Sequence, residues 1–195
     1  MDDKQKKNAA GRPRSKEAWE AVLAAAQTPL GTTGYRNLTM EGIAKAAGVG
    51  KPTLYRWWPN VPSIVMEVQR RYAETQIGDP DTGSLSSDLL QFIGKTCSSL
   101  NGQSGDIMRC LMAEAQLNPD FAKDFRETFI ASRRSRADRH PSARHPSGEL
   151  RRNSDLELLA DLVYGPIWYR SLNRHALLDE HFVRSLTDEP LAHGE

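Results

Sequence analysis

Between Thr39 and Ala47 the apolar residues Met40, Ile43, Ala44 and Ala47 fall three and four positions apart, the period of one face of a helix. Thr39 is placed to cap the start of that helix, and Gly48 stands where it must stop. After the turn Gly48-Val49-Gly50, a second short helix is predicted from Lys51. Pro52 sits in its first turn, where a missing N–H costs nothing, and the helix must end before Pro59. Val49 and Leu54 are the inward positions, which leaves Lys51, Thr53, Tyr55 and Arg56 facing out. Two short helices joined by a glycine turn, the second carrying polar and aromatic residues, make the arrangement of a helix-turn-helix DNA reader. So short a helix is not stable alone and serves to present side chains at the major groove.

Helical patterning extends to both sides of this pair. A first helix is predicted from about Ser15 to Gly34, but Pro29, Gly31, Thr32 and Thr33 interrupt it. An internal proline costs about 3 kcal/mol unless the helix kinks, so a bend is expected near Thr28. Downstream, helices are predicted from Ser63 to about Gln76, from Ser87 to Leu100 and from Asp106 to Leu117, separated by Gly78-Asp79-Pro80, Asn101 to Gly105 and Asn118-Pro119. Leu89, Leu90, Phe92, Ile93, Leu100, Ile107, Met108, Leu111, Met112 and Leu117 either line one pocket or fill a core. From Ser154, apolar residues at Leu156, Leu159, Ala160, Leu162, Val163, Ile167 and Leu172 exceed what one chain's core requires, which suggests a dimer helix. A last helix is predicted from Leu178 to Leu186. The fold class is therefore all-α: a flexible basic arm over 1–14, a helix-turn-helix domain over 15–62, and a helical regulatory and dimerisation domain over 63–195.

These features closely resemble the TetR-type transcriptional repressors. The resemblance is carried by Gly34-Tyr35, Leu38-Thr39, Ala47-Gly48-Val49 and Tyr55-Arg56-Trp57-Trp58, and by the run Asp161 to Arg170, which is similar to the penultimate helix of many family members. It implies that Thr39, Tyr55 and Trp57 hold the DNA backbone while Lys51, Pro52 and Thr53 approach the bases. It also implies that the last two helices pack against the same pair of a second subunit, and that the helix from Ser63 transmits ligand binding to the reader. A two-fold homodimer predicts a palindromic operator in double-stranded DNA.

Three positions depart from the family pattern. Val61 stands where a basic residue is expected, Gly50 replaces the usual hydroxyl cap of the second helix, and Pro29 falls within the first helix. The arm supplies charge instead, with Lys4, Lys6, Lys7, Arg12, Arg14 and Lys16 within thirteen residues. Its Gly11-Arg12-Pro13-Arg14 resembles arms that lay arginines into an adjacent minor groove, which assigns Arg12 and Arg14 to DNA.

Charge then separates the two ends of the chain. The formal net charge is only +1, yet residues 1–60 hold ten Lys and Arg against five Asp and Glu, so basic character is confined to the reader end. No apolar run approaches membrane-spanning length and no secretory leader is recognisable, so a cytoplasmic protein is expected. Cys97 and Cys110 lack the close pairing of a zinc or redox motif and read as free thiols. No nucleophile, base and orienting acid occur together and no phosphate loop is present, so neither an enzyme nor a cofactor is expected, and no metal site.

Ala131 to Gly148 holds no large apolar residue, and Pro141 and Pro146 forbid a regular helix there. Either it is a basic loop, or a compensated frameshift has replaced an apolar helical face. His140 and His145 by themselves do not complete a metal site. Two functions are compatible with the whole chain: a homodimeric repressor released by a small, largely apolar ligand, or a DNA-binding regulator without such a ligand, controlled by abundance or a protein partner. The ligand-binding residues are not legible at this level.

Overall fold

A computed structural model describes residues 15–132 and 155–192, and no strand occurs among them. Arg12 and Arg14 of the arm, His140, His145 and the Ser135 to Ser147 stretch lie outside the described residues.

Helix α1 spans Lys16–Thr32, its first turn capped by Ser15 Oγ, which accepts from the Ala18 N–H at 3.3 Å. Val22, Leu23, Ala26 and Leu30 form its buried stripe. The interruption expected from Pro29 does not occur: the helix passes through it and ends three residues later. Pro29 has no N–H to offer the Ala25 carbonyl, so the helix runs one intrahelical bond short there, while Leu30 beside it is only 2 % exposed and its burial helps hold the turn. The hydroxyls of Thr28, Thr32 and Thr33 donate to the carbonyls of Ala24, Thr28 and Pro29 at 3.2–3.3 Å, adding bonds around the proline.

A single 3₁₀ turn, Tyr35–Asn37, leads into α2 (Met40–Ala47) and α3 (Lys51–Trp57). Helix α4 (Val61–Gln76) begins at Asn60, whose side chain accepts from the Ser63 N–H at 2.9 Å, two residues ahead of the expected start. It buries Ile64, Val65, Met66 and Val68 and runs between α1 on one side and the later helices on the other.

The remaining helices are α5 (Leu85–Asn101), α6 (Gln103–Leu117), α7 (Pro119–Asp124), α8 (Leu156–Asn173) and α9 (Glu180–Ala192). The loop expected over Asn101 to Gly105 collapses to one residue, Gly102. Gly105 makes so tight a connection possible, since a Cβ there would lie 1.9 Å from the Leu100 carbonyl oxygen. Helix α7 continues as a π-helical turn over Phe125–Ile130, along which Phe121, Phe125 and Phe129 follow one another with ring centroids 6.0 and 5.0 Å apart. The last helix starts and ends later than its apolar pattern suggested, because Asp179 caps it by accepting from the Phe182 N–H at 2.9 Å. His175 lies beyond the end of α8, which Arg174 closes in the left-handed conformation at φ 53°. Cys97 is buried and Cys110 half-buried, and both are free thiols. No helix among the described residues is long and apolar enough to cross a membrane.

Candidate nucleic-acid interface

The reader is built from its turn outward. Thr39 Oγ1 accepts from the Gly42 N–H at 3.0 Å and starts α2, and Gly48 ends it at φ 66°, a left-handed conformation that suits a residue without Cβ. The Val49 N–H then returns to the Ala44 carbonyl at 3.0 Å, closing the helix end with a paired carbonyl. The chain leaves this turn through Gly50, which gives α3 no side-chain cap, as its lack of a hydroxyl requires. The Gly50 carbonyl nevertheless accepts from the N–H groups of Thr53 and Leu54 at 3.0 and 3.1 Å.

Seven residues of α3 are too few to hold a helix by themselves, so tertiary contact must hold it. Leu54 is fully buried, and behind it Trp58 packs on Trp19 of α1 with centroids 4.0 Å apart. Trp57 completes the cluster, 6.0 Å from Trp19 and edge-on to Trp58 at 5.8 Å. Trp19 did not stand out in the sequence, since its partners lie some forty residues away and no spacing rule connects them. Val61, at the position where a cation is expected, is half-buried against the core at the start of α4.

The outer side of the helix pair carries Thr39, Lys51, Pro52, Tyr55 and Arg56, all exposed, with Thr53 and Trp57 half-buried between them. Tyr55 keeps 51 % of its surface in solvent, a large exposure for an aromatic side chain. Lys51, expected to be free for a partner, is not: its Nζ lies 2.7 Å from Glu41 Oε1. The hydrogen bond from Lys51, reinforced by its charge, lowers the pKa of the Glu41 carboxyl. The two residues are ten apart across the turn, and only the crossing of α2 and α3 brings them together.

Three links tie this unit to the body. Arg71 of α4 bonds Glu20 of α1, and the hydrogen bond holds the Glu20 carboxyl below its ordinary range. The side-chain amide of Gln103, at the start of α6, donates to the Leu30 carbonyl at 2.7 Å. Tyr35 packs half-buried in the 3₁₀ turn; burial, with Glu114 and Cys110 of α6 nearby, pushes its phenol up to about 12.

The apolar residues considered as a pocket lining divide between core and surface among the described residues. Ile93, Leu100, Ile107, Met108 and Leu111 are buried in the common core, whereas Leu90 and Leu117 are exposed. Trp168 packs half-buried against that core, Tyr169 is exposed, and the Arg170 guanidinium lies 4.0 Å above the Phe182 ring.

Comparison with known proteins agrees with this architecture. Residues 22–61 match the family model of bacterial regulatory proteins of the tetR family, and residues 79–189 match the tetracyclin repressor-like C-terminal domain. The HTH-type transcriptional regulator YdeS of Bacillus subtilis (strain 168) is 34 % identical over 176 residues, covering 90 % of this chain and 89 % of YdeS. The regulator Rv1556 of Mycobacterium tuberculosis (strain ATCC 25618 / H37Rv) is 27 % identical over 191 residues, 91 % of this chain and 94 % of its own. Among solved structures, the TetR family transcription regulator SCO0332 superposes with a TM-score of 0.83 at 30 % identity, covering 91 % of this chain and 98 % of its own. FadR from Bacillus subtilis in complex with stearoyl-CoA shares the fold at a TM-score of 0.63 and 18 % identity, over 91 % and 99 % of the two chains. With a reader at one end, an all-helical body behind it and both halves matched by the same family, this chain belongs to the TetR family of bacterial transcriptional regulators.

Proposed function

We propose that this regulator is a repressor that binds a palindromic operator as a homodimer and leaves it when a small effector enters the body. The observation that carries the DNA half of this proposal is the construction of α3. Its inner side is anchored by Leu54 and the tryptophan cluster, and its outer side exposes Pro52, Tyr55 and Arg56 beside a Lys51 that Glu41 holds until a partner replaces it. Lys51, Pro52 and Thr53 approach base edges, while Thr39, Tyr55, Arg56 and Trp57 lie along phosphates and Arg12 and Arg14 follow the adjacent minor groove. Residues 15–62 act as the reader and 63–195 as the regulatory and dimerisation part.

The dimer is supported by α8. Leu158, Leu162, Tyr169 and Leu172 are 55, 52, 64 and 44 % exposed and recur at spacings of four, seven and three, a single apolar stripe that the described residues leave largely open, with only the His175 ring edge-on to Tyr169 at 4.7 Å. A second copy of the same stripe covers it by a two-fold axis, which matches the symmetry of a palindrome. Effector release follows as a population shift, since α4 touches both α1 and the body and any ligand preferring a different tilt of α4 changes the separation of the two readers. FadR of Bacillus subtilis, a protein of this fold, binds stearoyl-CoA, so a body of this architecture can take an effector.

The test is a gel shift of the purified protein on the DNA flanking its own coding region, across a salt series with competitor DNA. A discrete complex on one palindromic fragment, with an affinity falling steeply as salt rises, is the expected result. Smearing that is equal on all fragments would overturn the operator assignment.

A further inference from the structure

We propose that the effector site is the cleft between α1, α4, α5 and α6, and that it takes a small, uncharged molecule rich in hydroxyl or amide groups. The proposal rests on the effector-release mechanism above and replaces the apolar ligand expected from the sequence.

The cleft has a volume of about 340 Å³, near the lower end of the roughly 300–1,000 Å³ typical of ligand pockets. Its wall pairs an apolar part, from Leu30, Val68 and Ile107, with amides from Gln27, Gln69, Gln76 and Gln103 and hydroxyls from serines such as Ser98 and Ser104. No Asp or Glu is found among the described residues lining it, and its one cation, Lys95, has its ammonium 3.3 Å from the Ile77 carbonyl. Such a wall offers many neutral donors and acceptors and little to stabilise a charged ligand.

The floor of the cleft carries the second observation. Gln69, Tyr72, Ser99 and Ser104 also border a smaller inner pocket of about 10 Å³, room for roughly one water-sized group. Thr96 lines that inner pocket, is 2 % exposed, and its Oγ1 has no hydrogen-bond partner. A buried hydroxyl is costly to leave unpaired, so a hydroxyl or amide arriving there gains a hydrogen bond that Thr96 makes with no described residue. Beside it the Gln69 side-chain oxygen, also buried, is held at 2.7 Å by the Ser104 hydroxyl, a pair ready to exchange with a ligand.

Occupancy reaches the reader through Gln103. Its amide lines the cleft and, in the same geometry, donates at 2.7 Å to the Leu30 carbonyl in the last turn of α1. A ligand acceptor that recruits this amide releases that turn, which leads directly into the 3₁₀ turn and α2.

The experiment titrates the full-length protein, without DNA, with myo-inositol, glucose and N-acetylglucosamine, and in parallel with decanol and decanoate, following tryptophan emission. Trp168 borders the inner pocket and reports on it. At least one neutral polar probe is expected to give a saturable change that Thr96→Val weakens at least tenfold. That variant keeps its shape and loses only the unpaired hydroxyl, so its melting temperature stays equal or rises. Gln103→Ala is expected to weaken the same probe as well. Saturation by the decyl probes alone, no response to any probe, or a polar response untouched by Thr96→Val would each overturn the site. A protein that binds a polar probe yet shifts no DNA refutes the repressor mechanism alone, and one that shifts DNA yet ignores every polar probe refutes this site alone.

Discussion

Lys51 Nζ sits 2.7 Å from Glu41 Oε1, so the first cation of the recognition helix is matched by a carboxylate from the helix before it. Both side chains are well exposed, and a surface pair of this kind adds little to stability. Its consequence is for binding: on DNA, a base edge must compete with Glu41 for the same ammonium.

Glu41→Gln is therefore expected to tighten DNA binding a few-fold at low salt, with the advantage shrinking as salt rises and screens the removed charge. Fluorescence anisotropy on one operator fragment at several ionic strengths measures it. Because the Glu41 pKa is lowered in the folded chain, the pair contributes above the ordinary glutamate range and is lost only as pH falls through the lowered value. Equal affinities of the two proteins at every salt would mean that Lys51 does not meet phosphate or base.

Tyr55 and Thr53 separate the two kinds of contact. Tyr55→Ala is expected to weaken binding on every sequence while leaving the salt dependence nearly unchanged, because a phenol carries no charge to a phosphate, whereas Thr53→Ala changes which bases are preferred. Selection from a randomised operator library, run with both variants, reads the difference. The same loss on every sequence from both would put the two residues in one role.

Leu162 lies in the middle of the exposed stripe of α8. Leu162→Asp places a charge where a second copy would bury it, and is expected to turn a dimer into a monomer in sedimentation while leaving the helical content unchanged. A dimer that survives Leu158→Asp and Leu162→Asp together would place the interface elsewhere.

Cys97 is buried, and burial pushes its thiol up to about 11. The folded protein is expected to leave Cys97 unlabelled by iodoacetamide at pH 8 and to expose it after denaturation. The linkage runs in one direction: with a folded pKa above the unfolded one, the thiol's contribution is complete below the ordinary thiol range and is lost as pH rises toward the folded value. Mass spectrometry of the labelled site, with and without urea, checks it.

Much of the reader could be read from adjacent residues. Thr39, Gly48, Pro52 and Leu54 act through caps, a left-handed turn, a fixed φ and a buried stripe, all of which are local and leave a spacing in the chain. Pro29 shows where local rules give way: the helix runs on despite the proline's missing hydrogen bond, and the buried Leu30 beside it helps hold the turn. The Asn101 to Gly105 stretch read as a loop for the same reason, because nothing in its composition reveals that Gly105 lets two helices meet almost without one.

The chain alone thus determined the helical class, the position of the helix-turn-helix and the apolar surplus of the helix after Ser154, since each rests on periodicity within some twenty residues. The tertiary structure decided which side chains meet. Lys51 finds Glu41, Trp19 finds Trp58, and Gln103 finds Leu30 across seventy-three positions. It also decided that amides and hydroxyls gather in the cleft beside α4, because Gln27, Gln69, Ser98 and Gln103 come from four separate helices. A hydrogen bond or a pocket wall is short-ranged in space and indifferent to distance along the chain, so no pattern of neighbours could have announced it.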